Sequence, residues 1–234
     1  MKLLLTSNGL SNDSIARAFQ EMIGKEPKDA NIAFIPTAAH PGRGSKGWLI
    51  DDMYRIKERG YQVDVVELTA FKPEAIKDVL ENSDAIFVGG GNTFFLSYWM
   101  QKAGLFDLLP TLLMTKVYAG ISAGSIIAGQ SLALTSQALD NEQAFLDEDY
   151  DEIGPKGESA GEPLRLVDLI FRSHLNSRYF TIIRKDLLEE RVKKLDLKYP
   201  VYALDDNSAL KIIDGKIEVV TEGEWLKIEP AGVK

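Results

Sequence analysis

A serine and a histidine are the residues best placed to do chemistry in this chain, because a serine hydroxyl becomes a nucleophile when a neighbouring base accepts its proton. Ser122 is the middle residue of GISAG (residues 120–124), which has the G-x-S-x-G form of a nucleophile elbow. An apolar run precedes it and a helical pattern follows, as this motif requires. The next amide, that of Ala123, can stabilise an oxyanion. We therefore predict Ser122 as a nucleophile, with an incidental serine in a glycine-rich turn as the alternative.

Only two histidines could serve as the base. His40 lies in the loop AAHPGRG after a predicted strand, whereas His174 follows a predicted strand in FRSHLNS, at the expected active edge. We therefore predict that His174 accepts the proton of Ser122. A histidine with a purely structural role is the alternative.

Three consecutive glycines, residues 89–91, come directly after the apolar run DAIFV. Glycines at the carboxyl end of a strand let bare backbone amides face a ligand, which suits an oxyanion hole or a phosphate cradle. The run lacks the Lys-Ser/Thr ending of a P-loop and the spacing of a dinucleotide fingerprint. A tight turn that leads into a helix capped by Asn92 or Thr93 is the plainer interpretation.

The rest of the chain supplies elements that could position these residues. Short apolar runs alternate with amphipathic segments, which predicts βαβ units and a mainly parallel sheet. Because ligands bind beyond the carboxyl ends of such strands, chemistry is expected in the loops after Val88 and Gly120. Further along, the pattern predicts a strand at Leu169–Ser173, a helix at Ser177–Leu195 and a C-terminal β-hairpin. The strands predicted first are Lys2–Thr6, Asn31–Pro36, Gln62–Leu68, Asp84–Val88 and Lys116–Gly120.

Composition narrows the class of protein. The length of 234 residues, with 45% hydrophobic residues, favours one α/β domain over residues 1–234, with two small domains as the alternative. The absence of cysteine excludes disulfides, thiol catalysis and cysteine-based zinc sites. A net charge of -8 without a dense basic cluster argues against nucleic acid and anionic membranes as partners. The apolar stretch at the N-terminus is too short for a signal peptide, so we expect a cytoplasmic protein.

An acidic segment separates the predicted nucleophile from the predicted base. Residues Asp140–Glu162 contain nine acidic residues and one basic residue. Loops of this length are commonly lids or binding elements, so we predict that the segment covers the site and restricts it to small substrates. A solvated loop that points away from the site is the alternative.

Three motifs taken together resemble the peptidase E family, the aspartyl dipeptidases among the S51 serine peptidases: FVGGGNTF, then AGISAG, then a histidine in a strand-end S-H-x-N-S setting. IPTAA after the second strand also fits, and the resemblance runs from about Lys2 to Trp225. It implies a three-layer α/β sandwich with a mainly parallel central sheet, like the flavodoxin-like fold of the class I glutamine amidotransferases.

The resemblance also implies roles for individual residues. Ser122 would be the nucleophile and His174 the base, in a mechanism that needs no metal or cofactor and passes through an acyl-enzyme. The amides of Gly91 and Ala123 would bind the oxyanion, and we place the substrate against Gly90 and Asn92.

The sequence indicates the acid of the triad and the substrate preference less clearly than it indicates Ser122 and His174. Gln137 stands near the place where the family has an acid, so we predict Asp140, the nearest acid, as the partner of His174; Glu142 and Asp168 are the runners-up. Arg178, on the first turn of the predicted helix, is the candidate cation for an acidic substrate side chain, with a surface arginine as the alternative.

The predicted function is hydrolysis of dipeptides or other small peptides by a monomer or homodimer. An esterase or a cyanophycinase-like hydrolase would use the same machinery. A non-catalytic binding protein on the same scaffold is the alternative from another class.

Overall fold

The computed structural model of the protein describes residues 1–41, 44–135 and 161–230. Strands and helices alternate in its first half. The strands are β1 (Lys2–Thr6), β2 (Asn31–Ile35), β3 (Gln62–Val65), β4 (Ala85–Val88), β5 (Val117–Ile121), β6 (Ile170–Arg172), β7 (Val201–Leu204), β8 (Ser208–Ile213), β9 (Lys216–Thr221) and β10 (Trp225–Ile228). The helices are α1 (Asp13–Ile23), α2 (Gly47–Glu58), α3 (Pro73–Asn82), α4 (Thr93–Lys102), α5 (Leu105–Leu112), α6 (Ala123–Ile126) and α7 (Lys185–Lys194).

The larger sheet has seven strands in the order β3-β2-β4-β5-β1-β8-β9. Strands β1 to β5 run parallel to one another, and the hairpin of β8 and β9 continues the sheet in antiparallel fashion. Asp214 and Gly215 turn this hairpin with φ values of 49° and 82°, as a two-residue loop with both residues left-handed requires. The predicted mainly parallel α/β sheet with a C-terminal hairpin is therefore confirmed.

Both faces of the larger sheet are buried. Leu3 and Leu5 of β1 pack into one hydrophobic cluster with residues of α3, α4 and α5. Leu4, between them, packs into another with Ile15 and Phe19 of α1. Because successive side chains of a strand point to opposite faces, this division places helices on both sides of the sheet and produces the predicted three layers.

A smaller sheet of three strands, in the order β10-β7-β6, was not anticipated as a separate unit. Strands β6 and β7 are parallel, and β10 runs antiparallel to β7. Its apolar residues form a cluster with α7, in which Ala203 of β7 packs with Leu188 and with Leu175 from the loop after β6. The carboxyl ends of β6 and β7 thus lie side by side.

The helix predicted over Ser177–Leu195 is wrong in its first half, because α7 begins only at Lys185. His174 and Asn176 have positive φ values, and the amide of Asn176 donates to the carbonyl of Ile183, which closes a loop. A run of three β-branched residues, TII at 181–183, also disfavours a helix there. The apolar spacing of this stretch serves loop packing. No helix in the described ranges is long and apolar enough to cross a membrane.

Candidate active site

Ser122 lies in a strained turn between β5 and α6. Its φ of 47° and ψ of -107° are unusual for a residue with a side chain. The Ser122 amide donates to the Thr6 carbonyl at 3.0 Å, and its carbonyl accepts from the amides of Ser125 and Ile126, each at 2.9 Å. These bonds hold the strained conformation, which directs the side chain beyond the carboxyl ends of the strands.

The two glycines of the GISAG motif are required by close packing. A Cβ on Gly120 would lie 2.6 Å from the backbone carbon of Gly124. A Cβ on Gly124 would lie 2.1 Å from the carbonyl oxygen of Val88, at the end of β4. Only glycine lets the helix turn back this tightly over its own strand and the neighbouring one.

The end of β1 is bonded to both sides of this elbow. The Ser125 hydroxyl donates to the Thr6 carbonyl at 2.7 Å and accepts from the Thr6 amide at 2.9 Å. The Thr6 hydroxyl in turn donates to the Gly120 carbonyl at 2.7 Å. All of these groups are buried, so the bonds have little competition from water.

The structure brings Ser122 into contact with His174, and His174 into contact with an acid. Nε2 of His174 lies 3.0 Å from Oγ of Ser122. Nδ1 of the same ring lies 2.6 Å from Oδ1 of Asp206, which follows β7. The three side chains therefore form a continuous hydrogen-bonded series from a hydroxyl to a carboxylate.

Several contacts position the His174 ring. Its φ of 63° turns the chain sharply after β6. The amide of His174 donates to the Ser7 hydroxyl at 3.2 Å, and that hydroxyl donates to the carbonyl of Leu204, the last residue of β7, at 2.8 Å. The ring stacks on Phe180, with centroids 4.2 Å apart. The His174 side chain is 15% exposed, so it is held firmly but remains accessible.

The carboxyl group of Asp206 is ionised, as the hydrogen-bonded series from Ser122 through His174 requires. Burial alone would raise the pKa of its carboxyl group. The hydrogen bond and the electrostatic attraction between the carboxylate and the His174 ring outweigh burial, and the Ser177 hydroxyl and the Arg55 guanidinium act in the same direction. The pKa of Asp206 is therefore lower than usual, and the carboxylate is ionised at neutral pH. An ionised acceptor keeps a proton on Nδ1 and leaves the lone pair of Nε2 facing Ser122.

The acid beside His174 is one that sequence reasoning missed. Asp140 and Glu142 lie outside the described residues, and Asp168 is exposed and accepts a hydrogen bond from Gln130 at 2.9 Å. The acid placed at Nδ1 is Asp206, 32 residues after the histidine. The order in the chain is thus serine, histidine, acid. The available signal was a pair of acids directly after the apolar run VYAL, because such a position lies at the carboxyl end of a strand.

The glycine run after β4 packs against the elbow. A Cβ on Gly90 would lie 3.3 Å from Cβ of Ser122. Gly91 has a φ of 132°, and a Cβ there would lie 2.1 Å from the carbonyl oxygen of Ala38. Within the described residues, the amides of Gly91 and Ala123 donate to no protein acceptor. Gly91 directly follows the glycine that packs on Ser122, and Ala123 directly follows Ser122 itself.

The remaining predicted residues have contacts of their own. Asn92 caps α4 by accepting from the Phe95 amide at 2.9 Å, as in the plainer interpretation of the glycine run. Arg178 is exposed, lies in the loop before α7, and has its guanidinium 4.6 Å from the centre of the Tyr179 ring. His40 pairs with Glu67 at 2.7 Å and does not contact the serine.

No group of three His, Asp or Glu side chains that could hold a metal ion occurs within residues 1–41, 44–135 and 161–230. The chemistry that the arrangement itself supports is proton transfer from a hydroxyl to an imidazole held by a carboxylate, next to the backbone amide of Ala123 at the start of α6. This combination serves acyl transfer on diverse folds.

Comparisons with known proteins agree with this chemistry. The sequence model of Peptidase family S51 matches residues 3–220. An uncharacterized peptidase of Listeria monocytogenes is 27% identical over 199 residues, covering 82% of this chain and 85% of its own length. A peptidase E of Nostoc sp. is 25% identical over 229 residues, covering 94% and 85%. The crystal structure of a Listeria monocytogenes protein provisionally named peptidase E has a TM-score of 0.76 at 21% identity and covers 95% of this chain and 98% of that one, which shows a shared fold.

Proposed function

The chain belongs to peptidase family S51 and is a serine peptidase, and on this premise we propose that Ser122, His174 and Asp206 are its catalytic triad. The observation that carries the proposal is the series of two contacts, 3.0 Å from the hydroxyl to the imidazole and 2.6 Å from the imidazole to the carboxylate. Each residue follows a different strand, and the three side chains converge at one place.

In the proposed mechanism, Asp206 holds His174 in the tautomer with its proton on Nδ1. Nε2 accepts the proton of Ser122 as Oγ attacks the substrate carbonyl. The amides of Ala123 and Gly91 donate to the oxygen on which negative charge develops. The protonated His174 then gives its proton to the leaving amine, and a water activated by the same ring hydrolyses the acyl-enzyme.

We propose dipeptides and other small peptides as the substrates. The motifs that resemble the peptidase E family imply this size class, and they imply a preference for an aspartyl residue within it. Arg178 is the proposed cation for the aspartyl carboxylate, since it is exposed and lies four residues after His174. The acidic segment proposed to cover the site lies almost entirely outside the described residues.

Covalent labelling tests the triad directly. We expect a fluorophosphonate probe to label the wild-type protein and to leave Ser122→Ala unlabelled, because only an activated serine attacks phosphorus readily. Labelling of His174→Ala should be strongly slowed. An unlabelled wild-type protein would instead support a non-catalytic protein on the same scaffold.

A substrate panel tests the acyl group. Asp-X and X-Ala dipeptides, 4-nitrophenyl esters and casein should be compared at equal enzyme concentration. We expect the dipeptides to turn over fastest and casein to resist cleavage. Preference for the esters would favour the esterase alternative, and rapid cleavage of casein would show an open site. Removal of Arg178 should selectively raise KM for Asp-X.

A cytoplasmic location and a monomeric or homodimeric state stay predictions from the sequence.

A further inference from the structure

A second buried hydroxyl contacts the nucleophile. Oγ of Ser173 lies 3.2 Å from Oγ of Ser122, and Ser173 is 2% exposed. We propose that Ser173 is a catalytic residue that donates a hydrogen bond to the nucleophilic oxygen and stabilises the charge that develops there. This inference rests on the proposed function of Ser122 as the nucleophile and adds a residue to that site.

Ser173 and His174 are neighbours in the chain, yet both reach the same atom. Consecutive side chains of an extended strand point in opposite directions, so two neighbours cannot normally converge. Here β6 ends at Arg172, and the left-handed conformation of His174, with a φ of 63°, rotates the chain between the two side chains. The strained backbone at His174 therefore brings two polar groups to Ser122 from adjacent positions.

Hydrogen-bond accounting assigns the direction of the bond between the two serines. A serine hydroxyl carries one proton and two lone pairs. With Asp206 accepting the proton on Nδ1 of His174, Nε2 is an acceptor and takes the single proton of Ser122. Ser122 therefore has no proton left for Ser173, so the Ser173 hydroxyl must donate to a lone pair of the Ser122 oxygen.

A donor at this position acts mainly in the transition state. As His174 removes the proton, and before the bond to the substrate is complete, Oγ of Ser122 carries partial negative charge, and hydrogen bonds to ionised acceptors are roughly twice as strong as those between neutral groups. The bond from Ser173 thus strengthens along the reaction coordinate, and burial keeps water from replacing it. The difference between a neutral and a charge-assisted hydrogen bond corresponds to about a 3- to 10-fold gain in the rate of attack.

Inactivation kinetics with a fluorophosphonate probe test this role. For the wild-type protein and Ser173→Ala, the maximal inactivation rate and the probe concentration at half-maximal rate should be measured from acidic to alkaline pH. We expect Ser173→Ala to lower the maximal rate about 3- to 10-fold. The half-maximal concentration and the midpoint of the pH profile should stay at wild-type values, because the pair of His174 and Asp206 is intact.

Two further variants complete the design. Ser83→Ala is the matched control, since Ser83 is also 2% exposed and donates to a backbone carbonyl, that of Leu80, at the opposite end of the sheet. It should react at the wild-type rate. Ser173→Thr keeps the hydroxyl and should react faster than Ser173→Ala.

The proposal is overturned if Ser173→Ala reacts within about twofold of the wild type, which is below the gain expected for a charge-assisted bond. It is also overturned if the loss appears only in the half-maximal concentration, if the pH midpoint moves, or if Ser173→Thr is no faster than Ser173→Ala. Failure of the proposed function looks different: the wild-type protein would not be labelled, or Ser122→Ala would be labelled equally well.

Discussion

The two halves of the candidate site are built in different ways. Ser122 belongs to the larger sheet, and most of its support comes from the GISAG motif that surrounds it and from the strands on either side. His174 and Asp206 belong to the smaller sheet, lie 32 residues apart and come from the ends of two strands. The geometry of Ser122 is therefore encoded locally, whereas the placement of His174 and Asp206 depends on how the two sheets pack together.

The end of β1 is where the two halves meet. The carbonyl of Thr6 accepts from the Ser122 amide, and the next side chain, the Ser7 hydroxyl, bonds both the His174 amide and the Leu204 carbonyl. Thr6, the last residue of β1, and Ser7, which follows it, thus hold Ser122 on one side and the ends of β6 and β7 on the other. This arrangement predicts that substitutions in the two halves differ in their effects on activity and stability.

The largest effect is expected from Ser122→Ala, which removes the proposed nucleophile and keeps the elbow. Dipeptide hydrolysis should fall by about 10⁴- to 10⁶-fold. The free energy of unfolding should change by less than about 1 kcal/mol, because the backbone bonds that hold the turn remain. Turnover and urea denaturation of the same preparation check both expectations. Substantial residual activity would remove Ser122 from the mechanism.

A large effect is also expected from Asp206→Asn on the other half of the site. An amide cannot hold the imidazole in the required tautomer as a carboxylate does, so kcat/KM should fall by about 10²- to 10⁴-fold. Asp168→Asn is the matched control, since Asp168 was the alternative acid and bonds Gln130 instead. It should retain wild-type activity. If the control variant is the inactive one, the acid has been assigned to the wrong residue.

The contact between the sheets can be compared with a contact inside the elbow. Ser7 and Ser125 are both fully buried, and each hydroxyl makes two hydrogen bonds with backbone groups. Replacing either with alanine should destabilise the protein by about 1–3 kcal/mol, because buried backbone groups lose their partners.

Activity should separate these two variants. Ser7→Ala should lower kcat by about 10-fold, since a shift of one ångström or less in the base is enough to slow catalysis. Ser125→Ala should lower it less, because Gly120 and Gly124 still pack the elbow closely and the Tyr118 hydroxyl still donates to the Gly124 carbonyl at 2.6 Å. A greater loss of activity in Ser125→Ala would show that the position of Ser122 depends on its hydrogen bonds more strongly than the position of His174 does.

The smallest effect on activity is expected from Asp52→Asn, which changes how stability depends on pH. Asp52 lies on α2 and is 4% exposed. Burial raises the pKa of its carboxyl group to about 7, although Arg55 at 3.4 Å opposes the shift. The ordinary pKa of about 3.9 applies in the unfolded chain, so between these values the folded state binds more protons than the unfolded state. Stability therefore falls as pH rises from about 4 to 7, by up to about 4 kcal/mol from this group.

Asp52→Asn should flatten that decline, and at neutral pH the variant should be more stable than the wild type. Urea denaturation at pH values across this window checks the sign. Asp51→Asn, at the exposed neighbouring position, should keep most of the decline, because Asp51 is the smallest of the three influences on the pKa of Asp52. A decline that persists unchanged in Asp52→Asn would assign it to other groups.

Much of the fold was predictable from the sequence because its signals are local. The alternation of apolar runs with amphipathic segments predicted where β1 to β5 and the helices between them lie along the chain. The Asp214–Gly215 pair is typical of a hairpin turn. The same kind of local signal failed over residues 177–184. Apolar spacing there resembled a helix, but it reflects a loop that packs against the smaller sheet and is closed by the bond from Asn176 to Ile183.

For the candidate site, the sequence by itself marked Ser122 as the proposed nucleophile and limited the proposed base to two histidines. GISAG marks Ser122 because a strand-to-helix turn this tight requires glycine on both sides, and a chain with two histidines offers few bases. The acid was decided only by tertiary structure. Nothing in the spacing between His174 and Asp206 indicates their contact, because it depends on the parallel pairing of β6 with β7 and on the docking of both strand ends against Ser7. A motif records the constraints within one turn of the chain, whereas contacts between separate strands arise only when the sheets have formed.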